Sequence, residues 1–205
     1  MNKIVLAGKI TGDIEFSHEI HNERFYSFSL STNRKSGVAD VVPCIVSEVF
    51  VDSISNRKDG NIKIEGEIRT RNVIDADRAH LMVFVFVNNI GEYGLEDENK
   101  VVIEGNTCKA ASYRATPLGR EVADIIVASN RMFSKSDYIP CIAWGRNAIK
   151  ATNLGIGAKI RIEGRFQSRQ YVKKYENGSE EVKVAYEVSI AGFELMEDIE
   201  NGIKG

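Results

Sequence analysis

One stretch of the chain gathers aromatic rings among cations. In the run 138–144 a period of two places Tyr138, Pro140, Ile142 and Trp144 on one face of a strand and Ile139, Cys141 and Ala143 on the other. The second set is small and apolar and suits the inside of a barrel. The first set begins with a tyrosine and ends with the only tryptophan of the chain. Arg131 and Lys135 flank Phe133, Arg146 follows Trp144, and Arg169, Lys173 and Lys174 surround Tyr171. Arg114 and Arg120 flank the turn Thr116-Pro117-Leu118-Gly119. Unpaired bases stack on exposed rings, each worth roughly 1–3 kcal/mol, while Lys and Arg track the phosphates. These residue types together predict a surface for a single nucleic-acid strand, with stacking on Trp144, Tyr138, Phe133 and Tyr171.

The elements that must position these residues come in two copies. Lys3-Ile4-Val5 with Gly8 recurs as Lys100-Val101-Val102 with Gly105, 97 residues later. Asn33-Arg34 recurs as Asn130-Arg131, and Asp40-Val41-Val42-Pro43-Cys44-Ile45 as Asp137-Tyr138-Ile139-Pro140-Cys141-Ile142. Ile64-Glu65-Gly66 recurs as Ile162-Glu163-Gly164. Matches in one order at a near-constant offset imply two small domains of one design. The core pattern is shared, and the outward rings are not. Tyr138, Trp144, Phe133 and Tyr171 correspond to Val41, Ser47, Ser36 and Val73. Charge divides the same way. Residues 1–99 hold 11 Lys/Arg and 16 Asp/Glu (net −5), and residues 100–205 hold 16 and 13 (net +3). A basic copy beside an acidic one points to a polyanion met by the second copy only.

Each copy reads as five strands. The runs are 3–10, 24–32, 41–46, 61–71 and 80–90, then 100–107, 121–129, 138–144, 158–173 and 181–193. A short helix fits between the third and fourth runs, at 48–56 and at 146–154, the latter stopped by Gly155. This layout predicts an all-β chain of two tandem OB-folds, five-stranded Greek-key barrels each with a helix between strands 3 and 4. The predicted boundaries are an N-terminal fold at 1–95, a C-terminal fold at 99–195 and a flexible tail at 196–205, with a polar, acidic linker at 91–99.

Other chemistries lack their residues. There is no Walker loop, no GxGxxG opening a helix after a strand and no HExxH, so neither an enzyme nor a cofactor is expected. Cys44, Cys108 and Cys141 show no metal-ligand spacing, and Cys44 and Cys141 read as buried free thiols at equivalent strand positions. His18 and His21 lie near Glu15, Glu19 and Glu23 in what reads as a solvated loop rather than a metal site. No apolar run approaches the ~20 residues of a membrane span, and no signal peptide is seen, so a cytoplasmic setting is expected.

The run Ser112-Tyr113-Arg114-Ala115-Thr116-Pro117-Leu118-Gly119-Arg120-Glu121-Val122-Ala123-Asp124-Ile125-Ile126-Val127-Ala128 resembles the early segment of bacterial and phage single-stranded DNA-binding proteins. There an aromatic-Arg pair, a Pro/Gly turn and an alternating apolar strand follow one another. Residues 136–146 resemble the family's next strand, with an aromatic at its start and another before a Gly-Arg pair. The resemblance covers about 95 residues of the second copy and implies stacking and phosphate roles for Tyr138, Trp144 and Arg146, with Phe133 and Tyr171 close to two further stacking positions. It also implies protection of single strands in replication, recombination or repair, and a homodimer that assembles four OB-folds. The family's acidic, Phe-tipped recruitment tail is not expected, because the chain ends Glu200-Asn201-Gly202-Ile203-Lys204-Gly205. The first copy then serves as a structural or pairing half. The rival readings are an OB-fold adaptor for protein partners, as in primosomes, and an RNA-binding protein.

Overall fold

A computed structural model describes residues 1–57, 60–75, 78–116, 118–132, 135–175 and 178–196. The first copy consists of β1 (Asn2–Ile20), β2 (Glu23–Asn33), β3 (Ala39–Ser47), α1 (Val51–Ser55), β4 (Asn61–Asp75) and β5 (Arg78–Gly91). The second consists of β6 (Glu98–Thr107), β7 (Ser112–Ala115), β8 (Glu121–Asn130), β9 (Ser136–Trp144), α2 (Arg146–Thr152), β10 (Lys159–Lys174) and β11 (Glu180–Leu195).

In the first copy the sheet order is β2-β3-β5-β4-β1, and a β2–β1 pairing closes it into a barrel. In the second the order is β6-β10-β11-β9-β8, closed by β6–β8, with β7 added beside β8. Strand 3 meets strand 5 in parallel in both, Cys44 opposite Val85 and Cys141 opposite Val188. This is the predicted OB-fold, twice. The alternation read from sequence holds for the interiors, where Val42, Cys44 and Val46, and Ile139, Cys141 and Ala143, are all buried. Cys44 and Cys141 are free thiols, and burial pushes the Cys44 thiol well above its ordinary range.

The repeated Gly8 and Gly105 mark where strand 1 crosses close to strand 2. A Cβ at Gly8 would overlap the carbonyl of Ser31, and one at Gly105 that of Ala128. The repeated Asn-Arg and Asp close the turn between strands 2 and 3. Arg34 reaches the fully buried Asp40 at 2.6 Å, and Arg131 reaches the fully buried Asp137 at 2.8 Å. These ion pairs occur in both copies.

Three elements differ from the sequence reading: β7, which the strand runs do not predict, β1 and the first helical segment. β1 does not end near residue 10 but runs to Ile20, so His18 lies in a strand rather than a solvated loop. Register shifts between Thr11 and Glu15 and between Phe16 and His18 break the period of two, which is why the pattern hid the strand. Its hairpin turns at His21 and Asn22, both at positive φ (52° and 63°). In the first copy's helical segment, a 3-10 turn over Glu48–Phe50 precedes α1, which buries Ile54 beneath the barrel.

By packing, the chain forms two units. One comprises Lys3–Lys100 and Phe166–Glu187; the other comprises Met1–Asn2, Val101–Arg165 and the chain from Val188. The far ends of β10 and β11 thus group with the first copy. The 91–99 segment is clamped within that unit. Asp97 accepts hydrogen bonds from the Asn33 backbone N–H (2.7 Å), its side-chain amide (2.8 Å) and the Tyr93 hydroxyl (2.7 Å). Desolvation opposes ionisation of Asp97, and the three donors outweigh it and hold its carboxyl below the usual range.

Candidate nucleic-acid interface

β9 presents its outer residues as its alternation demands, with one exception. Tyr138 is 52% exposed and Trp144 36%, and Pro140 is half-buried. Ile142, expected on that face, is only 1% exposed, and stands opposite Asp124 on β8 and Ser189 on β11. The two rings are six residues apart on one face, about 20 Å along the strand.

Cross-strand register brings a cation to the tryptophan. Arg114 lies opposite Val122 on β8, and Val122 lies opposite Trp144, so the three share one row and one face. Val122 is fully buried between them. Asp124 holds the Arg114 guanidinium, at 3.1 and 3.4 Å, on that same face. β7 was not foreseen as a strand; its pairing with β8 is what sets this row.

At its end β9 turns sharply. Gly145 takes φ 53° and ψ −124°, a conformation closed to other residues, and leads directly into α2. Its N–H donates to the Glu121 carbonyl (2.9 Å). The turn leaves Trp144 at the strand tip and Arg146 exposed at the first position of the helix. Trp144 lines a cleft of about 440 Å³ with Gly119, Arg120, Glu121 and Gly145. Arg120 enters from the β7–β8 turn, which Thr116 and Gly119 close by backbone hydrogen bonds. A cleft with an indole wall and a guanidinium at its rim can take a flat aromatic group carrying a phosphate.

The remaining candidates fall into separate places. Lys135 is exposed at the β8–β9 turn. Phe133 lies outside the described residues. Arg131 is committed to Asp137, the counterpart of the Arg34–Asp40 pair. Tyr171, Arg169, Lys173 and Lys174 belong to the other unit, on the β10–β11 hairpin. There Tyr171 is 39% exposed, and the Arg169 guanidinium lies 5.8 Å from its ring centre while bonding to the buried Glu187 at 3.1 Å. Lys173 lies 5.2 Å from the Tyr175 ring, and Lys174 pairs with Glu180 at 2.8 Å.

Residues 98–196 match the family model described as the single-strand binding protein family. Single-stranded DNA-binding protein 3 of Streptococcus agalactiae serotype V is 33% identical over 106 residues, which span 48% of this chain and 74% of that protein. The chain belongs to the single-strand binding protein family. Single-stranded DNA-binding protein 1 of Staphylococcus aureus strain COL is 38% identical over 80 residues, 36% of this chain and 48% of that protein. The chain thus spans about half the length of that relative. The wild-type single-stranded DNA binding protein from Thermus aquaticus shares the fold, with a TM-score of 0.76 at 18% identity, over 97% of this chain and 94% of that one. The family match falls on the second copy, the copy whose residues carry the resemblance.

For a single-strand binding family member, the first copy holds a feature the sequence comparison missed. Its outer face is not without rings. Phe25, Ile45 and Phe84 form a buried cluster packed by Met82 and Phe86. Arg69 lies flat over Phe86, 3.5 Å from the ring centre, and pairs with Glu67 at 3.2 Å. His18 stacks on Phe25 at 5.0 Å and 14°, and burial together with the charge of Arg71 holds its imidazole below the ordinary value. Matching the copies position by position hid these rings, because they stand on β2 and β5 and not on β3. The signal was Val83-Phe84-Val85-Phe86-Val87, whose alternate residues face opposite sides.

Proposed function

We propose that this chain binds single-stranded DNA without sequence preference, by stacking bases on exposed rings and neutralising phosphates with Lys and Arg. The observation that carries the reading is the outer face of β9. Two exposed rings, Tyr138 and Trp144, share that face with Arg114, and the cleft at Trp144 opens beside Arg120. The relatives' names point to the same ligand. Lys135 and Arg146 are further phosphate contacts in the same unit as that face, and Phe133, Tyr171, Lys173 and Lys174 are further contacts to the strand in their own right, while Arg131 acts through the turn that it braces. The protein is a binder rather than an enzyme, works as a homodimer of four OB-folds, and shields single strands in replication, recombination or repair.

Quenching of the single tryptophan by oligo-dT tests this directly. Strong quenching that weakens at high salt is expected, because displaced counterions favour binding only when salt is low. Trp144→Ala and Tyr138→Ala each lower affinity by about 1–3 kcal/mol, or roughly 5- to 150-fold, without loss of folding. A folded protein that shows no quenching and no change in these variants defeats the reading, and pull-down of a protein partner by the same face then becomes the informative experiment. Tighter binding to oligo-U than to oligo-dT of equal length would move the ligand to RNA.

A further inference from the structure

The β10–β11 hairpin carries Tyr171, Arg169, Lys173 and Lys174, yet it packs in the unit built on the first copy, held there by Asn99 at the start of β6 and by residues of the first copy. The side-chain amide of Asn99 grips the backbone of Phe166 from both sides, donating to its carbonyl (2.7 Å) and accepting from its N–H (2.8 Å). The same amide reaches the Thr32 hydroxyl on β2 at 3.3 Å. Two residues on, Ser168 is held twice. Its N–H donates to Asp40 (3.0 Å), and its hydroxyl accepts from the Val41 N–H (3.2 Å). Asp40 is itself fully buried and fixed by both arms of Arg34 at 2.6 Å, so it is a rigid anchor.

Beyond these anchors, side-chain contacts run along the hairpin towards the ring. Between the two gripped residues, Gln167 is buried and donates to Glu187 across the hairpin (3.0 Å). Glu187, only 6% exposed, accepts from Arg169 at 3.1 and 3.4 Å. Arg169 lies beside Tyr171, its guanidinium carbon 5.8 Å from the ring centre. Phe166, fully buried against Tyr186 at 6.2 Å, pins the base of the hairpin.

We infer that Asn99 and Asp40 are positioning residues for strand binding, which fix the β10–β11 hairpin so that Tyr171 and its cations present one orientation to the strand. The first copy then helps to hold the second copy's hairpin, through Asp40, Val41 and Thr32. This rests on the strand-binding reading for its ligand. A ring held before binding loses less conformational freedom when a base stacks on it, and that saving appears as affinity.

The test is a double-mutant cycle on the full chain, with binding of fluorescein-labelled oligo-dT followed by anisotropy. Asn99→Ala is expected to weaken binding about fivefold or more, comparable with the lower range for loss of one stacked base. In a Tyr171→Ala background it is expected to add less than about twofold, whereas with Tyr138→Ala the losses multiply. Hydrogen exchange of backbone amides in 168–174 should quicken in Asn99→Ala. If Asn99→Ala does not fold, Ser168→Ala removes one bond of the latch and carries the same expectations. Unchanged affinity with a lowered Tm, or a loss that multiplies fully with Tyr171→Ala, overturns the inference and makes the latch purely structural. Failure of the unaltered protein to bind oligo-dT would instead strike the strand-binding reading as well.

Discussion

Trp144 and Arg131 show how differently two expected contact residues are built. Trp144 stands at a strand tip with a third of its surface open, in the same row as the buried Val122. Arg131 is three-quarters covered and sits on a carboxylate with no exposure at all. Removing one partner of such a pair leaves an uncompensated charge, which costs about 3–5 kcal/mol. Arg131→Ala is therefore expected to lower unfolding stability by that order in urea titration, as is Arg34→Ala in the first copy. Lys135→Ala should leave stability within about 0.5 kcal/mol and reduce the salt dependence of binding instead. A loss of affinity in Arg131→Ala at unchanged stability would return that residue to the phosphate contacts.

At the scale of elements, the barrel crossings and the 91–99 segment each make a firm claim. β1 and β6 pass so close to the neighbouring strand at Gly8 and Gly105 that a methyl group would meet backbone, which cannot yield as a side chain can. Gly105→Ala is expected to cost about 1–3 kcal/mol through overpacking, measured by thermal or urea unfolding, with Gly8→Ala alike. A neutral Gly105→Ala would mean that the strands separate freely there. Asp97 ties the segment between the barrels to β2 through Asn33. Its carboxyl is held below the usual range in the folded chain, so the stability it contributes is complete above the unfolded value of about 3.9 and is lost as pH falls through the lower folded value. Urea unfolding at pH 6 and pH 3 should show a smaller acid loss in Asp97→Asn than in the unaltered protein. Equal acid losses in both would show that Asp97 takes no part in the pH dependence.

The whole molecule divides one job unequally. The first copy is acidic, and its outer rings Phe25 and Phe86 are packed under His18 and Arg69; the second is basic, with Tyr138 and Trp144 exposed. Electrostatic affinity should therefore come from few cations. If Arg120, Lys135, Arg146 and Lys173 each neutralise one phosphate, log affinity falls with log salt at a slope of about −3, since each contact to a single strand contributes roughly −0.7. A slope beyond about −5 would mean that the first copy engages phosphates as well. Light scattering is expected to give twice the chain mass, with and without oligo-dT; a single-chain mass at micromolar concentration would remove the four-barrel assembly.

Much of this was legible in the residues, for reasons that are local. The repeat, the strand runs, the helix after strand 3 and the inward set Ile139, Cys141 and Ala143 follow from a side-chain period of two and from the need to fill a small barrel. Tyr138 and Trp144 could be placed on the outer face by the same count. What the sequence could not supply was anything set by neighbours distant along the chain. Bulges hid the second half of β1 because they break the period. Ile142 is buried though its parity points outward, because what packs over a sheet face comes from elsewhere in the chain. The Arg114–Val122–Trp144 row exists only through the pairing of β7 with β8 and of β8 with β9. Arg131 looks like any surface cation until the fold buries Asp137 beside it. The attachment of the β10–β11 hairpin to Asn99 and Asp40 spans 67 and 128 residues of chain. Parity along a strand is a property of consecutive residues. Burial, register and the partner of a charge belong to residues that only the folded chain brings together.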